Sequence, residues 1–175
     1  NIDQQGNMQE PNKLRCGSIE HKMGIHASAT CVMNFDGAKG YLIGEANRGL
    51  LAMFVMMNSA RISVGLQGLG LMDRAYQGAL TYSNDRLQMR SASGTKFPDK
   101  PADPIIVHPD VRRMLLTCKA LTEGSRCLAY QSMLQIDKSQ NSQNAEQKAH
   151  AEMFLGFLTP IVKGALTEWA NECAY

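Results

Sequence analysis

The chain has 175 residues, of which 44% are hydrophobic and 19% are charged, and its formal net charge is +2. These values are typical of a folded globular protein, and the small net charge gives no reason to expect a nucleic-acid or anionic-membrane partner. The longest apolar run is well short of the roughly 18 residues of a membrane-spanning helix, and the polar first residues do not resemble a signal peptide. We therefore expect a cytoplasmic protein without a membrane span.

The cysteines and histidines carry no metal-binding pattern. No two cysteines form a CxxC pair, so neither a zinc site nor a thioredoxin-like motif is predicted. No two histidines have the spacing of HExxH or a similar motif. We expect buried, reduced thiols, because free cysteine is among the most buried residue types. The residues concerned are Cys16, Cys31, Cys118, Cys127 and Cys173, together with His21, His26, His108 and His150.

The N-terminal part of the chain predicts a loop followed by β-structure. Residues 1–20 show little periodicity and are expected to form a loop. Between residues 22 and 44, apolar and polar residues alternate from Ile25 to Cys31, and the segment DGAKG separates VMNF from YLI. Alternation with a period of two around a glycine-rich turn is typical of strands, so we expect two or three strands here.

From about Gly49 the period of the apolar residues changes to three or four, which predicts a helix that extends to about Met89. The apolar positions are Leu50, Phe54, Met57, Ile62, Leu66, Leu69, Met72, Tyr76 and Leu80. The segment SASGTKFPDKPADP (residues 91–104) follows, and its content of Gly, Pro and Ser predicts a loop.

Two further helices are predicted after this loop. Pro109 and Asp110 are expected to begin the first of them, because proline is tolerated in the first turn and a carboxylate there complements the helix dipole. The second covers about Ala145 to Ala174, and Pro160 is expected to kink it. The segment DKSQNSQNAEQ (residues 137–147) is expected to be a polar connector or the start of the second helix.

Three long helices predict a mainly α fold, an up-down antiparallel helix bundle preceded by a short β segment. We expect residues 1–46 to be a remnant of a β domain and residues 47–175 to be a helical bundle domain. Bundles with helices of this length usually close with a fourth helix or a partner chain. We therefore expect a fragment of a larger protein whose last helix is missing.

One face of the first predicted helix carries two polar side chains followed by two glycines. Asn58, Arg61, Gly65, Gly68 and Met72 follow one another at steps of three or four residues, so they share one helix face. A buried guanidinium requires a carboxylate, a phosphate or carbonyl groups as partners. One interpretation is a structural pair between this arginine and a carboxylate, with glycines that allow close helix packing. The other is a ligand-binding surface, where glycine lets another backbone or a flat ligand approach.

The order of several motifs resembles the acyl-CoA dehydrogenase family. Lys22-x-Gly24 precedes a strand of small residues, YLIGEANRG forms a hinge, Arg61 lies on a long helix, and the segment YSNDRLQ follows. The likeness runs from about Cys16 to Tyr175 and is to the second half of the central β domain and the C-terminal helical domain. The segments GSIEHKMGIH and HPDVRRMLL are most similar to the branch of large enzymes that resemble 3-methylmercaptopropionyl-CoA dehydrogenase.

The resemblance implies α,β-dehydrogenation of an acyl-CoA thioester, in which a glutamate removes the α proton and a hydride passes from the β carbon to FAD. It assigns the segment of Asn58, Ser59, Ala60 and Arg61 to the acyl-CoA substrate. Asn58 would contact the pantetheine arm, and Arg61 would shape the electrostatic potential around the thioester.

The resemblance assigns a second group of residues to the FAD cofactor. Arg86, Leu87 and Gln88 match a turn that reaches the FAD pyrophosphate of a neighbouring subunit, and an arginine fork suits a diphosphate. His108 and Pro109 fall where the family commonly has His-Gln near the FAD. The chain departs from the pattern here, because Met and Arg replace Phe-Gly after the turn, Pro109 replaces Gln, and about a dozen extra residues precede the histidine.

No catalytic residue is predicted within the chain. Some branches of the family place the catalytic glutamate where this chain has Ala60, which cannot accept a proton, and the others place it in a loop that would follow Tyr175. We therefore expect the chain to be inactive alone. The resemblance also implies electron-transfer flavoprotein as the acceptor and self-association through the bundle. Two alternatives stay open: a non-catalytic helical oligomerisation module, and a relative of the acyl-CoA oxidases.

Overall fold

The structure is a computed structural model that describes residues 3, 5–7 and 9–175. The chain divides into two compact units, Asn1–Gly49 and Leu50–Tyr175. The first contains a two-stranded sheet, and the second contains three long helices and one short 3-10 helix. The predicted mainly α fold is therefore confirmed.

The sheet is an antiparallel hairpin of β1 (Leu14–Ile19) and β2 (Cys31–Phe35). Only β2 lies where strands were expected, because β1 falls in the segment that was predicted as loop. A β-bulge lies at Gly17, between Cys16 and Ser18, and it interrupts the alternation by which a strand is recognised.

Two other expected strand segments are wrong. The alternating segment before Cys31 forms bends and turns, and Ile25 has a φ of 55° in the left-handed region, which an extended strand does not allow. Residues 41–43 (YLI) form no strand and are exposed. Alternation over a few residues thus overestimated the β-structure of this unit.

The three predicted helices are confirmed as α1 (Gly49–Asp85), α2 (Pro109–Asn141) and α3 (Ala145–Ala174). Helix α1 ends four residues earlier than expected, because Leu87 leaves the helix to pair with Pro104 in a β-bridge. Helix α2 begins with its proline in the first turn, as predicted, and the 3-10 helix Ile105–Val107 precedes it. The kink expected at Pro160 stays a prediction.

A side-chain cap begins α3. The Asn144 Oδ1 atom accepts hydrogen bonds from the backbone N–H groups of Glu146 and Gln147, at 2.9 and 3.1 Å. These N–H groups have no partner within the helix, so the cap satisfies them. The short connection from Asn141 to Ala145 turns the chain so that α3 packs antiparallel against α2.

All three helices contribute to one apolar core. Its buried members are Leu69 and Met72 from α1, Ala129 from α2, and Val162, Leu166 and Ala170 from α3. Two polar contacts join α1 to α2 beside this core. The Ser125 hydroxyl donates to the sulfur of Met72 at 3.9 Å, and Arg126 forms an ion pair with Asp73 at 3.0 Å.

The glycines of α1 allow α3 to approach closely. A Cβ atom at Gly68 would lie 2.6 Å from the carbonyl oxygen of Leu166, and a Cβ atom at Gly65 would lie 2.6 Å from a methyl carbon of Val162. Both separations are too short for a real side chain. Of the two alternatives, approach by another backbone or by a flat ligand, the structure shows the first, and that backbone is α3.

The first turns of α1 are exposed, although their sequence predicts core. Leu50, Val55 and Met56 have 71%, 76% and 64% of their surface accessible. Helix α1 also has the length and composition of a membrane-spanning helix, with a mean hydropathy of 1.4 over its most apolar 18-residue window. A mostly buried core helix of a soluble protein meets the same criterion; α1 supplies Leu69 and Met72 to the core, but only 11% of this window is buried. The expectation of no membrane span stays a prediction.

Candidate functional site

The side chain of Arg61 contacts two residues that precede it on the same helix, α1. Arg61 Nη1 donates to the side-chain oxygen of Asn58 at 3.3 Å, and its guanidinium carbon lies 5.6 Å from the centroid of the Phe54 ring. No carboxylate forms an ion pair with Arg61 in the part of the chain that the structure describes. The structural arginine–carboxylate pair considered above is therefore not found there. The half-buried cation has a neutral amide and a ring as neighbours, which leaves its charge uncompensated.

A groove of about 390 Å³ lies beside this turn, between the three helices. Helix α1 contributes Asn58 and Ser59 to its wall, and the facing helices contribute Ser139, Gln140 and Glu152. Its volume is near the lower end of the range for small-molecule sites, which suits part of an extended ligand. Ala60 and Arg61 do not line this groove, so only two of the four predicted substrate residues do.

The residues assigned to the cofactor lie at the other end of α1, where the connection to α2 folds back. The backbone N–H of Ile105 donates to the carbonyl oxygen of Arg86 at 2.9 Å, and the N–H of Gln88 donates to the carbonyl oxygen of Asp103 at 3.0 Å. The ring of His108 donates from Nε2 to the carbonyl oxygen of Gln88 at 2.9 Å. The structure thus brings Arg86–Gln88 and His108 together, although about 20 residues separate them in the sequence.

A buried carboxylate, that of Asp103, organises this connection. It accepts hydrogen bonds from the backbone N–H groups of Ser91, Lys96 and Phe97, at 2.9, 3.1 and 2.8 Å. Arg90 adds an ion pair at 3.3 Å, and the Asp103 side chain is completely inaccessible to solvent. A short segment rich in Gly, Pro and Ser is thereby fixed around one charged group.

The hydrogen bonds determine the ionisation of Asp103. Burial alone would raise its pKa, but the donors from Ser91, Phe97, Lys96 and Arg90 outweigh burial and lower the pKa from 3.8 to about 2. The carboxylate therefore stays charged at neutral pH. Sequence reasoning missed this residue, because in the sequence Asp103 is one of two aspartates in a segment with loop composition. Only the convergence of three backbone donors distinguishes it from Asp99.

The Arg86 turn has the donors that a diphosphate requires. Arg86 is exposed, and its side chain forms no ion pair in the described part of the chain. Gln88 is also exposed, whereas its backbone groups are occupied by Asp103 and His108. A planar guanidinium can bind phosphate oxygens through two parallel hydrogen bonds. The residues present therefore fit the pyrophosphate of a flavin nucleotide.

The two predicted groups are separate in one chain. Arg61 lies within α1, and Arg86 directly follows its last residue, 25 positions later. At about 1.5 Å per residue along a helix, their backbones are roughly 37 Å apart. They cannot contact the same end of a small ligand. This separation is compatible with the expectation that Arg86 reaches a cofactor of a neighbouring subunit.

The expected burial of the cysteines is wrong. Cys16, Cys31 and Cys127 are exposed, and Cys118 and Cys173 are half-buried. Free cysteine is usually buried, but Cys16 and Cys31 lie on a small two-stranded hairpin, and Cys118 and Cys173 line an open groove. All five are free thiols.

Comparison with known proteins defines the family. The family model for the acyl-CoA dehydrogenase C-terminal domain matches residues 47–174. The 3-methylmercaptopropionyl-CoA dehydrogenase of Ruegeria pomeroyi is 49% identical over 169 residues, which cover 97% of this chain and 28% of that protein. A butyryl-CoA dehydrogenase of Syntrophomonas wolfei is 37% identical over 177 residues, with the same two shares.

A solved structure shows the same fold. The butyryl-CoA dehydrogenase from Megasphaera elsdenii matches with a TM-score of 0.59 and 20% identity, over 95% of this chain and 45% of that one. The chain belongs to the acyl-CoA dehydrogenase family, which confirms the resemblance seen in its sequence. It spans about 28% of the length of the curated relatives named above.

Proposed function

We propose that this chain is part of a longer FAD-dependent acyl-CoA dehydrogenase that oxidises the α,β bond of acyl-CoA thioesters. Family membership supports the class of reaction, and the relatives' names refer to acyl-CoA substrates. The observation that carries the proposal is the Arg86 turn, because hydrogen bonds fix the Arg86 backbone and its exposed guanidinium has no ion pair in the described part of the chain.

The cofactor residues act by binding and orientation. Arg86 binds the FAD pyrophosphate through its guanidinium fork, and Gln88 offers its side-chain amide beside it. His108 fixes the backbone of Gln88, Leu87 pairs with Pro104 in a β-bridge, and Pro109 begins α2 next to His108. A bound FAD would supply the acceptor for the hydride that leaves the β carbon of the substrate.

The substrate residues lie near the start of α1. Asn58 donates or accepts a hydrogen bond along the pantetheine arm, and Ser59 lines the groove next to it. Arg61 raises the positive potential near the thioester carbonyl, which favours the negative charge that develops there. Ala60 has no ionisable group, so we assign no catalytic residue within this chain.

The remaining assignments concern partners. We propose electron-transfer flavoprotein as the electron acceptor, a cytoplasmic location, and self-association through the helical bundle. The exposed apolar turns of α1, with Leu50, Leu51 and Val55, support self-association because surfaces of this kind mark protein–protein contacts. Arg86 could then reach a cofactor in the neighbouring subunit.

A chimera tests the proposal. The corresponding segment of the Ruegeria pomeroyi enzyme is replaced by this chain, and bound flavin is measured by visible absorbance and turnover by a dye-coupled assay with acyl-CoAs. We expect a flavin-containing, active chimera. In it, Arg86→Ala should weaken flavin binding about 10- to 100-fold, because two charge-assisted hydrogen bonds are lost.

The controls separate binding from folding. Arg74→Ala removes an exposed arginine of α1, the helix that precedes Arg86, and should leave flavin content unchanged. Arg86→Lys keeps the charge but not the fork and should have an intermediate effect. Unchanged flavin affinity in Arg86→Ala would contradict the cofactor assignment. The isolated chain should give no turnover, and turnover by it would refute the absence of a catalytic residue.

A further inference from the structure

Two thiols meet at one end of the helical bundle. Cys118 lies in the third turn of α2, and Cys173 lies in the last turn of α3. Both line a groove of about 590 Å³ between the three helices, together with Tyr82 and Ile105. Because α2 and α3 run antiparallel, residues far apart in the sequence are level with each other here.

The two thiols are neighbours in this groove, since both line it and, in addition to burial, the Cys118 thiol is close enough to raise the pKa of Cys173. Both residues are half-buried, and Cys173 packs against the apolar core that contains Leu166 and Ala170. The open groove gives a small reagent access to the pair, while the core fixes the position of one member.

We propose that Cys118 and Cys173 are a site of reversible oxidation, where a disulfide oxidant such as glutathione disulfide joins α2 to α3. The Cys118 thiolate attacks one sulfur of glutathione disulfide, which forms a mixed disulfide and releases one glutathione thiolate. The Cys173 thiolate then attacks the Cys118 sulfur, which forms the protein disulfide and releases the second glutathione. Two electrons and two protons thus pass from the protein thiols to glutathione disulfide, and two glutathione molecules result.

The order of the two steps follows from the surroundings of Cys173. Burial first, then the neighbouring Cys118 thiol and the charge of Glu172, raise the pKa of Cys173 to about 11. Its thiolate is therefore disfavoured at neutral pH, and Cys118 is the first nucleophile. The inference is independent of the proposed function, because it concerns only groups within the bundle.

The other three thiols differ in geometry. Cys127 lies exposed on α2 without a thiol partner among the described residues. Cys16 and Cys31 share a thiol contact on the hairpin, but Cys16 is opposite Met33 and Cys31 is opposite Ile19, so the two are not directly paired across the strands. Cys127 therefore serves as the control for a thiol without a partner. Cys16 and Cys31 are replaced by serine so that they do not form a disulfide of their own.

The experiment uses the whole chain with the substitutions Cys16→Ser and Cys31→Ser. The protein is incubated with glutathione disulfide, quenched with acid, alkylated and digested with trypsin. We expect one cross-linked species that joins the peptides MLLTCK and GALTEWANECAY. The peptide CLAYQSMLQIDK, which contains Cys127, should carry only glutathione or the alkyl group.

Thermal unfolding supplies a second readout. The cross-link should raise the Tm by about 5 to 15 °C, because it restricts the unfolded chain over a long loop, and dithiothreitol should reverse the shift. A further Cys127→Ser substitution should leave both cross-link and shift unchanged, whereas Cys118→Ser should abolish them. Glutathione adducts on Cys118 without a cross-link, or reaction at Cys127 alone, would overturn the proposal. The Cys127→Ser variant keeps it refutable if Cys118→Ser does not fold.

Discussion

The bundle core and the connection from α1 to α2 are ordered by opposite kinds of interaction. In the core, Leu69, Met72, Val162 and Leu166 are buried against one another without polar partners other than a weak serine–sulfur contact. In the connection, the inaccessible group is the Asp103 carboxylate, and backbone N–H groups surround it. One region excludes water from apolar surface, whereas the other replaces water around a charge with fixed donors.

This difference has a consequence for function. Apolar packing is spread over many contacts, so loss of one side chain weakens the whole bundle. The connection depends on a single group, so one substitution there should release the Arg86 turn while the bundle stays folded. The residues assigned to FAD therefore depend on one buried carboxylate, that of Asp103, and not on many apolar contacts.

The largest effect should come from removing a core side chain. Leu166→Ala should lower the free energy of unfolding by about 3 kcal/mol, because Leu166 is fully buried in the core and its loss leaves a cavity. Leu51→Ala on the exposed first turns of α1 is the matched control and should change it by less than about 0.5 kcal/mol. Urea denaturation followed by circular dichroism measures both. Equal effects would show that the first turns of α1 are buried in solution.

A smaller effect is expected from adding a methyl group where α1 meets α3. Gly68→Ala should lower the free energy of unfolding by about 2 kcal/mol, because the new Cβ atom would lie 2.6 Å from the Leu166 carbonyl oxygen. Gly70→Ala lies on an open face of the same helix and should raise it by up to about 1 kcal/mol. The same urea assay applies. A neutral Gly68→Ala would mean that the two helices separate easily.

A local effect is expected in the connection. Asp103→Asn should leave the Tm within about 5 °C of the wild type but should speed proteolysis within residues 90–103, because the amide cannot accept all of the hydrogen bonds. Asp99→Asn, an exposed aspartate of the same segment, is the control. Limited proteolysis with mass spectrometry measures the cleavage. Resistance equal to the wild type would refute the organising role of Asp103.

The smallest effect is a dependence on pH. The folded pKa of Asp103 is about 2, below its ordinary value of 3.8, so its contribution to stability is fully present above about pH 4 and is lost as the pH falls through 2. The difference in unfolding free energy between the wild type and Asp103→Asn should therefore be constant from pH 7 to about pH 4 and shrink below it. Urea titrations at each pH measure the difference. A difference that shrinks already between pH 6 and pH 4 would contradict the assignment.

The helices were predictable because their signals are local. Three- to four-residue periodicity located α1, α2 and α3, and Pro109 marked the start of α2. The hairpin was predicted less well, because β1 contains a bulge at Gly17 and the alternation before Cys31 belongs to turns. The glycines of α1 were identified as a point of close approach, but the sequence did not decide whether a helix or a ligand would approach.

The candidate site divides in the same way. Asn58, Ser59, Ala60 and Arg61, and the group Arg86, Leu87, Gln88, His108 and Pro109, came from resemblance to a family, and their roles stay predictions. The structure adds that Arg61 has no carboxylate partner in the described chain, and that Arg86–Gln88 and His108 are neighbours. Asp103 was not predicted, because its partners come together only when the connection folds back on itself, and the Cys118–Cys173 pair was not predicted, because it depends on the packing of α2 against α3.

The sequence by itself determined where the helices lie and to which family the chain belongs, because periodicity and motif order are properties of neighbouring residues. Only the tertiary structure decided which apolar residues are buried. Leu51 and Leu166 are the same residue type on equally apolar helices, but only Leu166 has helices within reach on its side. The same holds for Asp99 and Asp103, since a carboxylate is buried only where enough donors converge on it.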